Sequence, residues 1–249
     1  EITDVRIDLT PPEFTDLIPT SGYFINHMNF GWSLSEDIEE GSISFTHPNV
    51  TIEVPLSKNE MGLGTREPRP LENDLQLNDG QEYSINIRGK DFAGNESEIL
   101  SVNQITYDIS PPRLAMGRPS SNSFVNTLDV VYQSNEPLIS GQMVWIDAKG
   151  QSLNFEIRSN DLTEGRHTLV DYGVEPTEGI SYSIQIKGTD RATNEGVSDT
   201  ITNVMFDITP PQLTLISPQP NGSVNHTKVS IDINEAITSG SIRWERVQG

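Results

Sequence analysis

The chain has 249 residues, 36 of them acidic and 16 basic, for a formal net charge of −20. A field of that sign repels nucleic-acid backbones and anionic lipid headgroups, and the absence of cysteine removes thiol catalysis, thiolate metal sites and disulfides. Hydrophobic residues make up only 34%, 19 glycines and 16 prolines suit a chain with many turns, and no apolar run reaches the roughly 18 residues needed to span a bilayer.

From the N-terminus, the first strong punctuation is Asp8-Leu9-Thr10-Pro11-Pro12. It recurs as Asp108-Ile109-Ser110-Pro111-Pro112 and as Asp207-Ile208-Thr209-Pro210-Pro211, at spacings of 108 − 8 = 100 and 207 − 108 = 99 residues. Later landmarks keep this register. Ile25-Asn26 matches Val125-Asn126 and Val224-Asn225, Glu36 matches Glu136 and Glu235, and Gly41–Phe45 matches Gly141–Trp145 and Gly240–Trp244. Tyr83–Asp91 matches Tyr182–Asp190, and Asn95 matches Asn194. Self-similarity at so many fixed offsets is the mark of a repeat array. The expected organisation is residues 1–7 as the last strand of a preceding copy, 8–107 as repeat 1, 108–206 as repeat 2 and 207–249 as the N-terminal part of a third. Both ends then read as cuts through a longer chain.

Within a unit, apolar residues alternate, as in Tyr182-Ser183-Ile184-Gln185-Ile186-Lys187, which is the pattern of a half-buried strand. In repeat 2 the pattern predicts strands near Arg113–Arg118, Leu128–Ser134, Gln142–Asp147, Ser152–Arg158, His167–Tyr172, Tyr182–Asp190 and Thr200–Phe206. About seven short strands in about 100 residues predict an all-β fold of tandem immunoglobulin-like or fibronectin III-like sandwiches. Phe45, Trp145 and Trp244 share one position and are the expected core aromatics. The segment from Pro48 to Asn78 aligns poorly with repeat 2 and reads as a displayed loop. In the third copy, alternation predicts strands at Val229–Ile233 and Ile242–Val247. The Pro-Pro pair stops a strand and stiffens the residues after it, so the junctions should be short and semi-rigid.

The junction motif, together with Asp91-Phe92-Ala93-Gly94-Asn95 after the penultimate strand, resembles the bacterial immunoglobulin-like repeats of large surface proteins and adhesins. In repeat 2 the second motif is Asp190-Arg191-Ala192-Thr193-Asn194, where Thr193 replaces the usual glycine. Threonine tolerates positive φ poorly, which argues against a left-handed turn there. The resemblance implies an extracellular stalk, spacer or adhesive segment. Its partners would be neighbouring repeats and a cell-surface or matrix ligand, protein or glycan. Some arrays of this kind bind calcium at their junctions.

Calcium takes oxygen ligands from carboxylates, amides and carbonyls. Asp91 and Asn95 share one loop and Asp108 opens the next junction; Asp190, Asn194 and Asp207 repeat the set. These six are the candidate metal ligands. Glu36, Glu136 and Glu235 read instead as solvated turn carboxylates, and His27, His47, His167 and His226 as surface residues without metal spacing. No catalytic motif is present, so the chain reads as non-enzymatic. The alternative function is a carbohydrate-binding accessory module of a secreted hydrolase.

Overall fold

The computed structural model describes residues 6–127, 129–170 and 176–245. The first sandwich runs in the order β1 (Phe14–Ile18), β2 (Phe24–Ile25), β3 (Asn29–Leu34), β4 (Ile38–His47), β5 (Val50–Pro55), β6 (Gly64–Pro70), β7 (Gln81–Asp91) and β8 (Leu100–Tyr107). One sheet has the order β1-β3-β6; the other has β2-β8-β7-β4-β5, in which β2 runs parallel to β8. The second sandwich repeats this plan with β9 (Leu114–Arg118), β10 (Phe124–Val125), β11 (Val130–Ser134), β12 (Ser140–Asp147), β13 (Ser152–Glu156), β14 (Gly165–Leu169), β15 (Ser181–Thr189), β16 (Glu195–Val197) and β17 (Ile201–Phe206). Its sheets are β14-β11-β9 and β10-β17-β15-β12-β13, with β16 added on β15.

Alternation decides which face of each strand is covered. On β7, Tyr83, Ile85 and Ile87 are buried; on β15, Tyr182, Ile184 and Ile186 are. The apolar rows of the two sheets face each other and form one core per sandwich. Phe45 and Trp145 are fully buried, as expected of the repeated aromatic. Phe45 meets Phe30 edge-on at 5.0 Å between ring centroids, and Trp145 meets Tyr182 edge-on at 5.7 Å. Among the described residues three X-Pro bonds are cis, at Ile18-Pro19, Arg118-Pro119 and Ser217-Pro218, again at matching positions.

Several expectations need correction. The stretch from Pro48 to Asn78 is not a displayed loop. It contains β5, a 3-10 turn at Lys58–Glu60 and β6, matching β13, a 3-10 turn at Ser159–Asp161 and β14 in the second sandwich. Its sequence diverges because its buried side chains differ, not because it is unconstrained. His167 is not a surface residue: its side chain is only 11% exposed and its ring lies 5.4 Å from that of Tyr132.

The third copy contributes β18 (Leu213–Ser217) and β19 (Ser230–Ile233), paired antiparallel. No strand covers Ile242 to Glu245, and Trp244 is 57% exposed because no opposing sheet covers it among the described residues. Residues 1–5, 128, 171–175 and 246–249, where parts of four expected strands fall, lie outside the described residues.

Candidate cation sites at the repeat junctions

In each junction motif the aspartate caps its own turn. Asp8 Oδ1 accepts from the Thr10 backbone N–H at 3.0 Å, Asp108 Oδ1 from Ser110 at 3.0 Å and Asp207 Oδ1 from Thr209 at 3.1 Å. That local turn explains the spacing of Asp and Ser/Thr ahead of the prolines. The aspartate closing the long strand does similar work. Asp91 Oδ1 accepts from the N–H groups of Ala93 and Asn95, both at 2.8 Å, and Asp190 Oδ1 from that of Asn194 at 2.9 Å.

The fold then brings these elements together in two equivalent groups. Asp8, Glu36 and Asp91 each place a carboxylate oxygen within 4.8 Å of the others, and so do Asp108, Glu136 and Asp190. The grouping differs from chain order: Asp91 meets Asp8 at the start of its own sandwich, and Asp108 meets Asp190. Asp207 opens the third copy with its own capped turn, and no carboxylate trio forms around it among the described residues. Asn95 and Asn194 join through their amides. Asn95 Nδ2 donates to Asp91 Oδ2 at 2.8 Å and to the Asp8 carbonyl at 3.2 Å; Asn194 Nδ2 donates to Asp190 Oδ2 at 2.8 Å and to the Asp108 carbonyl at 2.9 Å.

Glu36 and Glu136, read from the sequence as solvated, complete the trios. Their recurrence at a fixed offset was the one sequence signal, and it did not reveal what they face. Burial first, and then the charges of Asp8, Asp91 and Asp37, hold the Glu36 carboxyl above its ordinary range. Burial and then Asp108 and Asp190 do the same to Glu136. Asp108 is raised by burial and by Asp190 and Asp79, against the lowering effect of the Ser110 N–H. Asp91 behaves oppositely. Burial pushes it up, but the side chain and N–H of Asn95 and the N–H groups of Ala93 and Gly94 more than offset this and hold it low.

None of the ion pairs among the described residues involves any of these six carboxylates. Carboxylate oxygens held within 4.8 Å of one another are close enough to make each trio a candidate site for one hard cation, which takes an all-oxygen donor set. Elsewhere a groove of about 610 Å³ opens on the outer face of β4, β5 and β7, where Arg88 pairs with Glu53 at 3.0 Å and Lys90 with Glu40 at 2.9 Å. No helix among the described residues is long and apolar enough to cross a membrane.

No protein-family model matches the chain, and no curated protein matches it. Similar solved structures include a four-repeat segment from the extending region of a large adhesion protein, with a TM-score of 0.34 and 15% identity over 82% of this chain and 51% of that one. A calcium-stabilised adhesin of an Antarctic bacterium gives 0.37 and 13% over 85% and 53%. A two-domain fibronectin type III segment of chicken tenascin gives 0.31 and 12% over 76% and 99%. The chain spans about half the length of the two adhesin segments.

Proposed function

We propose that the chain is a non-catalytic segment of an extracellular structural or adhesive array, a stalk or spacer of a bacterial surface protein, rigidified by calcium at its junctions. Its units are 8–107, 108–206 and the start of a third at 207–249, with residues 1–7 closing a preceding copy. The observation that carries this reading is the repetition of the carboxylate trio. Two units build the same cluster from the same three places, and each cluster includes the aspartate that opens the Pro-Pro junction.

Three carboxylates held this close repel one another, and burial strengthens the repulsion. Two of the three in the second cluster have their carboxyls raised by that environment. A divalent cation relieves this cost, and because Asp108 belongs to the junction, binding also restrains the connection between units. Asp8, Glu36 and Asp91 would hold one ion; Asp108, Glu136 and Asp190 would hold the other. Asn95 and Asn194 orient the buried aspartates rather than facing the ion with their oxygens.

Calorimetric titration of calcium into the whole chain, paired with small-angle scattering, tests this. Two binding events are expected, with one lost in Asp190→Asn, and a scattering profile that stiffens as calcium fills the sites. Absence of heat at millimolar calcium would overturn the cation part of the reading. A scattering profile of a collapsed, flexible chain under both conditions would overturn the stalk itself.

A further inference from the structure

The loop that follows the long strand also touches the preceding sandwich. Asn26, just after β2, donates its Nδ2 to Asn194 Oδ1 at 3.1 Å and to Thr193 Oγ1 at 3.4 Å. The Arg191 guanidinium lies over the Phe24 ring, 5.5 Å from its centroid. Phe24, Ile25 and Asn26 therefore form a receiving edge on the first sandwich, and Arg191, Thr193 and Asn194 a docking loop on the second. The segment between them is held from both sides. Asp108 N–H donates to the Ile25 carbonyl at 2.9 Å, and Asp79 accepts from Ile109 N–H at 2.8 Å and from the Ser110 hydroxyl at 2.6 Å. From the other sandwich, Asn194 donates to the Asp108 carbonyl at 2.9 Å.

Thr193 has a φ of +71°, which a β-branched residue adopts only against strain, while Gly94 occupies the matching place in the first sandwich at +93°. Glycine would keep the turn without that strain. What glycine lacks is the hydroxyl that reaches Asn26. The receiving edge recurs as Phe124, Val125 and Asn126 on the second sandwich, where Phe124 is 70% exposed. There Asp207 N–H donates to the Val125 carbonyl and Thr209 to Glu178, repeating the way the first edge grips its junction.

We infer that the Arg191–Asn194 loop is a docking element that locks repeat 2 onto the Phe24–Asn26 edge of repeat 1 through side chains alone, and that Thr193 is retained for this contact. The lock deepens the array reading and rests on it. Its own contacts run between Asn26, Thr193 and Asn194 Oδ1 and between Arg191 and Phe24, none of them a cluster carboxylate, while Asn194 Nδ2 binds Asp190 Oδ2; the lock is therefore expected to hold without a cation. The natural occupant of the exposed Phe124–Asn126 edge is the corresponding loop of another unit of this kind.

The absence of cysteine lets spin labels be placed at will, for example through Thr51→Cys and Asn154→Cys on the exposed edge strands of the two sandwiches. The distance distribution between them is measured in the whole chain in EDTA. A narrow distribution is expected for the parent. Broadening is expected in Asn26→Ala combined with Arg191→Ala, and also in Thr193→Gly, whose turn geometry glycine preserves. Amide exchange should show both sandwiches still folded in each variant. A parent distribution as broad as those of the variants, or variants as narrow as the parent, overturns the lock. Calcium heats recorded on the same variants in EDTA-free buffer report on the cation sites separately, so failure of one leaves the other readable.

Discussion

The two sandwiches share a topology but secure the same corner with different chemistry. In the first, Arg66 on β6 pairs across the strands with Trp32 on β3, and its guanidinium lies 4.6 Å from the Trp32 ring centroid. It also binds Glu60 at 3.0 Å, with side-chain exposures of 5% and 0%, and donates to the carbonyls of Phe30, Arg69 and Pro70. Glu60 is further satisfied by the N–H groups of Ser57 and Glu72. In the second sandwich, His167 on β14 occupies the Arg66 place, Tyr132 the Trp32 place and Asp161 the Glu60 place. His167 pairs across the strands with Tyr132, lies 3.8 Å from Asp161, and bonds the Thr163 carbonyl at 2.7 Å. This corner therefore requires an aromatic, a nitrogen base and an acid, while the degree to which the charges are enclosed is free to vary.

Enclosure sets the cost of breaking each corner. Arg66→Ala leaves Glu60 buried without its cation, and the expected loss is about 3–5 kcal/mol in the first sandwich. His167→Ala removes a longer, more open contact and some packing on Tyr132, with an expected loss of about 1–2 kcal/mol. Denaturation followed by residue-resolved amide exchange separates the two sandwiches; equal losses would break the comparison.

The segments after the long strands also differ. In the first sandwich Ser97 returns to Gly89 through its N–H and hydroxyl. In the second, Gly196 on β16 takes the place of Ser97 opposite Gly188, and Ser198, two residues further on, bonds Ile186 through its N–H and hydroxyl. A Cβ on Gly196 would lie 2.1 Å from the Pro112 carbonyl oxygen of the junction. Gly196→Ala should therefore cost about 1–3 kcal/mol and shift the Pro112 resonances, whereas Ser97→Ala should leave the first junction in place.

The smallest expected effect concerns the clusters. The Glu136 carboxyl is raised by burial and by Asp108 and Asp190. A folded carboxyl that keeps its proton to higher pH than the unfolded one costs stability once both are ionised. The cost is therefore present at pH 7 and fades as pH falls through the raised range toward ordinary carboxylate values. In EDTA, Glu136→Gln should stabilise the second sandwich by about 1 kcal/mol at pH 7, with a smaller gain at pH 5. In millimolar calcium the sign should reverse, because the ion loses a ligand. Thermal unfolding at the two pH values, with and without calcium, checks all three expectations.

Much of the fold was legible along the chain, since a strand announces itself through neighbours two residues apart and a repeat through recurrence at one offset. Tyr83–Asp91, Tyr182–Asp190 and the aromatics Phe45 and Trp145 behave as their patterns predicted. β6 was missed because Arg66 holds its buried position, and β5, whose Val50, Ile52 and Val54 do alternate, was passed over with the poorly aligning segment around it. A charged pair that satisfies itself inside a core carries no hydrophobic signal. Thr193 shows the reverse limit: its residue type argued against the left-handed turn that it nonetheless adopts, at the point where its hydroxyl meets Asn26.

By itself the sequence determined the all-β class, the unit length, the core aromatics and the Pro-Pro junctions, because each depends on residues close in the chain or on recurrence at one offset. Only the tertiary structure decided that Asp91 faces Asp8 rather than Asp108, that Glu36 and Glu136 complete the trios, and that Asn26 reaches Asn194. Asn26 and Asn194 lie 168 residues apart, and no local pattern records which loops the two sheets will carry to the same end of a sandwich.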